Sequence, residues 1–190
     1  MCYYYGMKVL MIIAPKDFRD EEFFEPKEIF QKAGLQIAVA SKGVKEAQGL
    51  LGGFTPVDVD ITQVNLNDYD AVVFVGGPGS NIYFNDSTAL ELAKSAYQSQ
   101  KIIGAICIAP SILANAGILE GKKVTAFPSE AENLKAKGVQ YTGENVTVDG
   151  NIITASGPQA AKEFGKKIVE ILGLNWKRFL FVKFFIADFF

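Results

Sequence analysis

Apolar positions along the chain come in two textures. Short unbroken runs at residues 8–14 (KVLMIIA), 35–41, 70–75 (DAVVFV) and 102–106 (IIGAI) predict strands buried on both faces. Between and after them, apolar residues return at helical spacing. Residues 86–98 carry Leu90, Ala93 and Tyr97 on one stripe, with Thr88 and Glu91 at the separation of a capping box. Residues 158–172 align Ala161, Phe164, Ile168 and Leu172, and Gly173 stops the pattern. Ile29, Phe30 and Ala33 predict another helix, ended by Gly34. Pro26 is expected in its first turn, because deeper inside it removes a backbone bond. That start, near Glu22 or Phe23, leaves Asp20, Glu21 and Glu22 at the helix mouth, where acids complement the dipole.

Residues 43–64 contain Gly-rich breaks, and the alternation at 57–61 predicts a small antiparallel excursion. A fifth strand is expected at 123–127, a short polar helix at 129–137, and a hairpin at 145–155 around Asp149-Gly150. Residues 108–116 read as a helix with Pro110 near its start. Strands alternating with helices at these lengths predict the α/β class. The expected architecture is a three-layer sandwich, a mostly parallel sheet with helices on both faces, flavodoxin-like or amidotransferase-like. With no repeat or linker, one domain is expected over 7–173, after an extension at 1–6 and before an aromatic-rich tail at 174–190. Residues 176–190 hold seven aromatics and four charges. Such a segment is expected to dock on its own domain or on a partner subunit. Attachment to a membrane is not expected, since only Lys177, Arg178 and Lys183 are basic there.

The formal charge of −2, with no basic block, argues against nucleic acid as a partner. No apolar run is long enough to span a bilayer, and 9–14 is too short for a signal-peptide core, so a cytoplasmic protein is expected. There are two cysteines: Cys2 in the extension and Cys107 at the end of IIGAI, a placement that does not predict a disulfide. More decisive is that the chain has no histidine. This removes His-ligated metals and every Ser–His or Cys–His pair, and neither metal nor cofactor is expected.

Cys107 lies on the turn between a buried strand and a helix start. It reads either as a small core residue or as a reactive thiol whose thiolate the helix dipole favours. In an open parallel sheet, ligands bind beyond the carboxyl ends of the strands. Glu22, Gly76-Gly77 and Cys107 each follow such an end. A nucleophile on a sharp turn, faced by N–H groups of a Gly-rich loop, can stabilise an oxyanion. The loop itself, GGPGS, lacks both the lysine of a phosphate loop and the dinucleotide fingerprint.

FVGGPGS, GAICIAPSILANAGIL, VTAFP and ITASGPQAAKEFGKKIVEIL together resemble the ThiJ/PfpI family of the class I glutamine-amidotransferase-like superfamily. The likeness covers about residues 7–173 and is nearest the branch of the Parkinson-associated deglycase. The resemblance implies that Cys107 is the reactive cysteine and that Glu22, four residues before Pro26, is the acid facing it. It further implies an oxyanion site from the backbone N–H groups of Gly77 and Ile108, and a homodimer or higher homo-oligomer. Two positions depart from the family. Ile108 stands where the peptidase-like branch has histidine, and Phe127 where the deglycase-like branch has one, which argues against peptidase activity.

What remains is a Cys–Glu pair, expected to share one proton at neutral pH. Small reactive carbonyls such as methylglyoxal, or glycated groups, are the expected substrates of a glyoxalase- or deglycase-type activity. The alternative reading is a non-catalytic redox sensor or chaperone built on an oxidisable Cys107.

Overall fold

A computed structural model describes residues 6–174. In chain order the elements are β1 (Lys8–Ile12), β2 (Lys16–Phe18), α1 (Asp20–Lys32), β3 (Gln36–Ser41), β4 (Glu46–Gly49), β5 (Phe54–Pro56), β6 (Val59–Asp60) and β7 (Ala71–Phe74). They continue with α2 (Ser87–Gln98), β8 (Ile102–Ile106), α3 (Pro110–Asn115), β9 (Lys123–Val124), α4 (Ala131–Ala136), β10 (Gln140–Tyr141), β11 (Val146–Asp149), β12 (Ile152–Ala155) and α5 (Ala161–Ile171). The docked tail expected at 176–190 and most of the extension, Cys2 included, lie outside the described residues.

The main sheet has seven strands in the order β11-β12-β8-β7-β1-β3-β6. All its pairings are parallel except the β11–β12 hairpin. The apolar runs sit where two-sided burial demands them: every residue of β7 and β12 is buried, as are the last four of β1 and β8. On one face α1 packs against α5, and on the other α2 packs against α3. Gly104 lets α5 approach the sheet, since a Cβ there would come within 2.8 Å of Phe164 and 2.9 Å of Ile168. The α/β sandwich read from the chain's periodicity is thus the fold observed.

Several boundaries differ, each for a local reason. Helix α1 begins at Asp20, so Pro26 is its seventh residue. The Phe23 N–H already closes the first turn on the Arg19 carbonyl at 3.2 Å. Pro26 removes the N–H that would serve the Glu22 carbonyl. It lies where α5 crosses, with a Gly165 Cβ position 3.0 Å from its Cα. The antiparallel excursion comes earlier than expected, as β4 with β5, and β2 joins it in parallel to make a separate three-stranded sheet. Residues 59–60 instead extend the main sheet beside β3.

The expected fifth strand shrinks to β9, which pairs with β10 outside the main sheet. The adjacent Thr125 N–H bonds the Thr154 hydroxyl at 3.0 Å rather than a strand carbonyl, and the far edge of β12 is already taken by β11. Helix α2 is capped by Asp86, whose carboxylate accepts from Ala89 N–H, and not by Thr88 with Glu91. Helix α3 is two residues shorter at its start than expected, because Cys107 to Ala109 form a turn.

Candidate active site

The chain runs from β1 outward through β3 and β6, then returns to the other side of β1 as β7 and β8. The direction of winding therefore switches between β1 and β7, which is where a doubly wound sheet opens a crevice. The carboxyl ends of β1, β7 and β8 are level, with Ile12 opposite Phe74 and Phe74 opposite Ala105. The three segments that leave these ends carry Glu22, Gly76-Gly77 and Cys107. Topology alone brings together residues 22, 76 and 107.

Cys107 has φ of +65°, a conformation that costs a non-glycine residue roughly 1–3 kcal/mol. Both sides of the turn are tied. Its N–H donates to the Ala155 carbonyl at 2.9 Å, and its carbonyl accepts from Phe127 N–H at 2.8 Å. The residue is 8% exposed. The Gly77 and Ile108 N–H groups are the backbone donors that act on its sulfur. Gly76 is required by space, since a Cβ there would lie 2.5 Å from both the Cys107 Cβ and a Glu22 carboxyl oxygen. Gly77 has φ of +95°, and a Cβ on it would lie 2.3 Å from the Arg19 nitrogen.

Glu22 is fully buried. Neither carboxyl oxygen makes a hydrogen bond of good geometry with any described residue. The thiol and the Gly76 N–H lie near enough to favour its charge slightly, yet burial dominates and pushes its pKa up to about 8. At neutral pH Glu22 is therefore a carboxylic acid. Burial, and then the charge Glu22 carries when ionised, push the Cys107 thiol up to about 12, against the pull of the Gly77 and Ile108 N–H groups. Burial thus pushes both groups toward their protonated forms, where the helix start had been expected to hold the thiol down. The helix dipole cannot offset burial here, because Ile108 and Ala109 separate the sulfur from the short α3.

The other acids at the helix mouth have partners of their own. Asp20 accepts from the Leu51 and Gly53 N–H groups at 2.7 and 2.8 Å and so holds the tip of the β4–β5 hairpin. Glu21 pairs with Arg19 through two hydrogen bonds, 2.8 and 3.0 Å long. Asp20 and Glu21 thus do more than complement a dipole. Arg19 was not singled out from the chain's pattern; its adjacency to Glu21 and Glu22 in RDEE was the available signal. Phe127, at the family's second histidine position, is 42% exposed and brings no proton carrier. Among the described residues no cluster of three or more His, Cys, Asp or Glu could hold a metal, and no helix is long and apolar enough to cross a membrane.

A cysteine on a strained strand-to-turn elbow, a buried carboxyl beside it and converging amides define a class of α/β proteins with a preformed thiol site. The chain belongs to the DJ-1/PfpI family, whose model matches residues 7–171. An uncharacterised protein of Methanocaldococcus jannaschii is 47% identical over 171 residues, 88% of this chain and 83% of the relative. A glutathione-independent glyoxalase of Caenorhabditis elegans is 29% identical, across 86% of this chain and 87% of its own. A deglycase of Pyrococcus horikoshii is also 29% identical, across 87% and 99%. The crystal structure of a ThiJ/PfpI domain protein from Brachyspira murdochii superimposes with a TM-score of 0.86 at 38% identity, covering 88% of this chain and 98% of that one.

Proposed function

We propose that the protein is a cofactor-independent enzyme acting on small reactive dicarbonyls, with Cys107 as nucleophile and Glu22 as proton carrier. The observation that carries this reading is the fully buried Glu22 carboxyl, left without a hydrogen bond of good geometry beside the elbow thiol. An unsatisfied buried carboxyl costs stability, and a proton-transfer role is what it supplies in return. The relatives named glyoxalase and deglycase support the same chemistry.

In the first step the sulfur bonds to the aldehyde carbon of methylglyoxal. The carbonyl π electrons move to oxygen, Glu22 gives its proton to that oxygen, and the thiol proton passes to Glu22. A neutral acid beside a neutral thiol suits this relay, because the transient charge on oxygen is quenched by a proton within the same step. The N–H groups of Gly77 and Ile108 hold the oxygen while it is negative. Glu22, once it has released its proton to solvent, takes the proton from the former aldehyde carbon as a carboxylate and delivers it to the neighbouring carbonyl carbon, while the hydroxyl proton on the first carbon passes to the second oxygen. The resulting thioester is hydrolysed by water to the α-hydroxy acid, lactate, and the free thiol. A carboxyl that titrates near 8 is available in both forms close to neutrality.

The test is lactate release from methylglyoxal by the wild type and by Cys107→Ala. We expect the variant to lose at least about a thousandfold in rate, in line with removal of a nucleophile. Lactate formation that persists in Cys107→Ala contradicts the mechanism. The redox-sensor reading loses support, because oxidation follows thiolate character and exposure and Cys107 has little of either. A peptidase lacks its general base, with Ile108 and Phe127 at both family positions.

The chain is proposed to act as a homodimer. Phe24, Leu50, Leu51 and Phe54 are 36%, 43%, 61% and 56% exposed around the β4–β5 hairpin and α1, an apolar surface suited to a second copy. Light scattering should give a dimer for the wild type and a monomer for Leu51→Asp; a monomeric wild type overturns the assignment.

A further inference from the structure

The Gly77 and Ile108 N–H groups each belong to a peptide unit that is gripped from behind. In a planar trans peptide the carbonyl and the N–H point in opposite directions, and no described residue follows a cis bond. The Gly77 N–H shares its peptide with the Gly76 carbonyl, which accepts from the Arg19 N–H at 3.1 Å. The Ile108 N–H shares its peptide with the Cys107 carbonyl, which accepts from the Phe127 N–H at 2.8 Å. A Cβ on Gly76 would stand 2.5 Å from the Cys107 Cβ, and one on Gly77 would stand 2.3 Å from the Arg19 nitrogen. The Gly76–Gly77 peptide therefore lies between the elbow and Arg19. Drawing its carbonyl toward Arg19 turns its N–H toward the thiol, and the Phe127 bond acts in the same way on the elbow peptide. Among the described residues neither Gly77 nor Ile108 donates its N–H to another backbone carbonyl.

We propose that Arg19 and Phe127 are positioning residues that act through their main chains, their N–H groups holding and polarising the two peptides that present the Gly77 and Ile108 donors. The proposal deepens the reading of those donors as the oxyanion site and rests on it. A donor fixed in direction needs no reorganisation as charge develops, and a hydrogen bond at the carbonyl end strengthens the one made at the N–H end. Irregular backbone brings both residues to their places. Asp17 has φ of +58°, and the β2–β4 register shifts between Lys16 and Phe18. A bulge of this kind re-aims the chain, here so that Arg19 meets the Gly76 carbonyl. The Leu50 N–H holds the segment from its other side, donating to the Phe18 carbonyl at 2.8 Å. On the opposite flank the chain leaves regular pairing after β9. Thr125 N–H bonds the Thr154 hydroxyl at 3.0 Å and the Tyr141 hydroxyl bonds the Ala126 carbonyl at 3.1 Å, which delivers Phe127 to the elbow. The Arg19 side chain is engaged with Glu21, so the grip is a property of its main chain.

The experiment replaces one backbone amide by an ester in the full chain, using the hydroxy-acid counterpart of Arg19 or of Phe127. Each ester removes one N–H and keeps the side chain. Each should lower kcat for methylglyoxal about tenfold and leave KM within about twofold, because the donors act on charge that develops in the transition state. Each should also slow Cys107 alkylation by iodoacetamide at pH 9 about threefold, since the same N–H groups stabilise the thiolate. An ester at Val57 is the control. It removes a backbone bond to the Lys45 carbonyl, 2.9 Å long, at the base of the β4–β5 hairpin, and should leave both rates at the wild-type value. Hydrogen exchange in the unmodified chain needs no variant to fold. There the Arg19 and Phe127 amides should exchange at least about a hundredfold more slowly than in an unfolded peptide. Free exchange at either amide, or an ester at Arg19 or Phe127 that matches the Val57 ester in both rates, overturns the proposal. Because alkylation is read without turnover, absence of lactate formation in the wild type refutes the proposed function and leaves this inference to the alkylation rates. Wild-type alkylation and turnover in both esters refute the inference alone.

Discussion

Two carboxyl groups on the first turn of α1 stand two residues apart and live in opposite surroundings. Asp20 is 8% exposed and accepts two backbone N–H groups from the β4–β5 hairpin. Glu22 is fully buried, faces the elbow thiol and has no hydrogen-bond partner of good geometry. The first organises backbone, while the second holds its proton into the neutral range. The difference teaches that burial alone does not make a carboxyl chemically useful; burial without donors does. Helical geometry produces the split, since residues two apart on a helix point to different sides.

The largest expected effect breaks the Glu22 side of the comparison. Glu22 keeps its proton up to about 8 in the folded chain but releases it near the ordinary 4.5 once unfolded. The stability tied to its protonation is full below about 4.5 and drains as pH rises through 8. Glu22→Gln removes that loss. By urea unfolding at pH 9 the variant should exceed the wild type by about 3–5 kcal/mol, an advantage absent at pH 4. Equal stability at both pH values contradicts the assignment.

A smaller effect is expected at the residue between the acid and the thiol. Gly76→Ala puts a Cβ against Cys107, a Glu22 oxygen and the Ile106 carbonyl, 2.5 to 2.7 Å away. It should cost about 2–3 kcal/mol by overpacking and remove lactate formation, which calorimetry and turnover together can show. Asp20→Ala comes last. It leaves two hairpin N–H groups without their carboxylate and should cost about 2 kcal/mol in a urea titration. Cys107 alkylation should stay at the wild-type rate, and a changed rate would show that the two carboxyls are not independent.

Much of this was legible from the chain. Unbroken runs such as DAVVFV and IIGAI fitted strands buried on both faces, and the helical elements between them argued for parallel connections. That in turn put the acids at the start of α1, Gly76, Gly77 and Cys107 at one sheet edge, and the family resemblance picked Glu22 among the acids. What periodicity could not supply was the protonation of the pair, because that depends on how many donors reach each buried group. Nor could it place β9, whose neighbour Thr125 bonds a threonine hydroxyl instead of a strand carbonyl. Arg19 was hidden for a related reason: an arginine next to three acids looks like a solvated charge run until the Gly76–Gly77 loop is seen to pack on it.

The most direct measurement of the central claim is the thiol titration of Cys107 in the wild type and in Glu22→Gln, read by the change in thiolate absorbance with pH. In the wild type, ionised Glu22 opposes the thiolate and the thiol titrates high. Glu22→Gln should therefore titrate lower and carry more thiolate between about pH 9 and 10. Identical curves, or a wild-type thiol at the ordinary value for cysteine, would contradict a coupled Cys107–Glu22 pair.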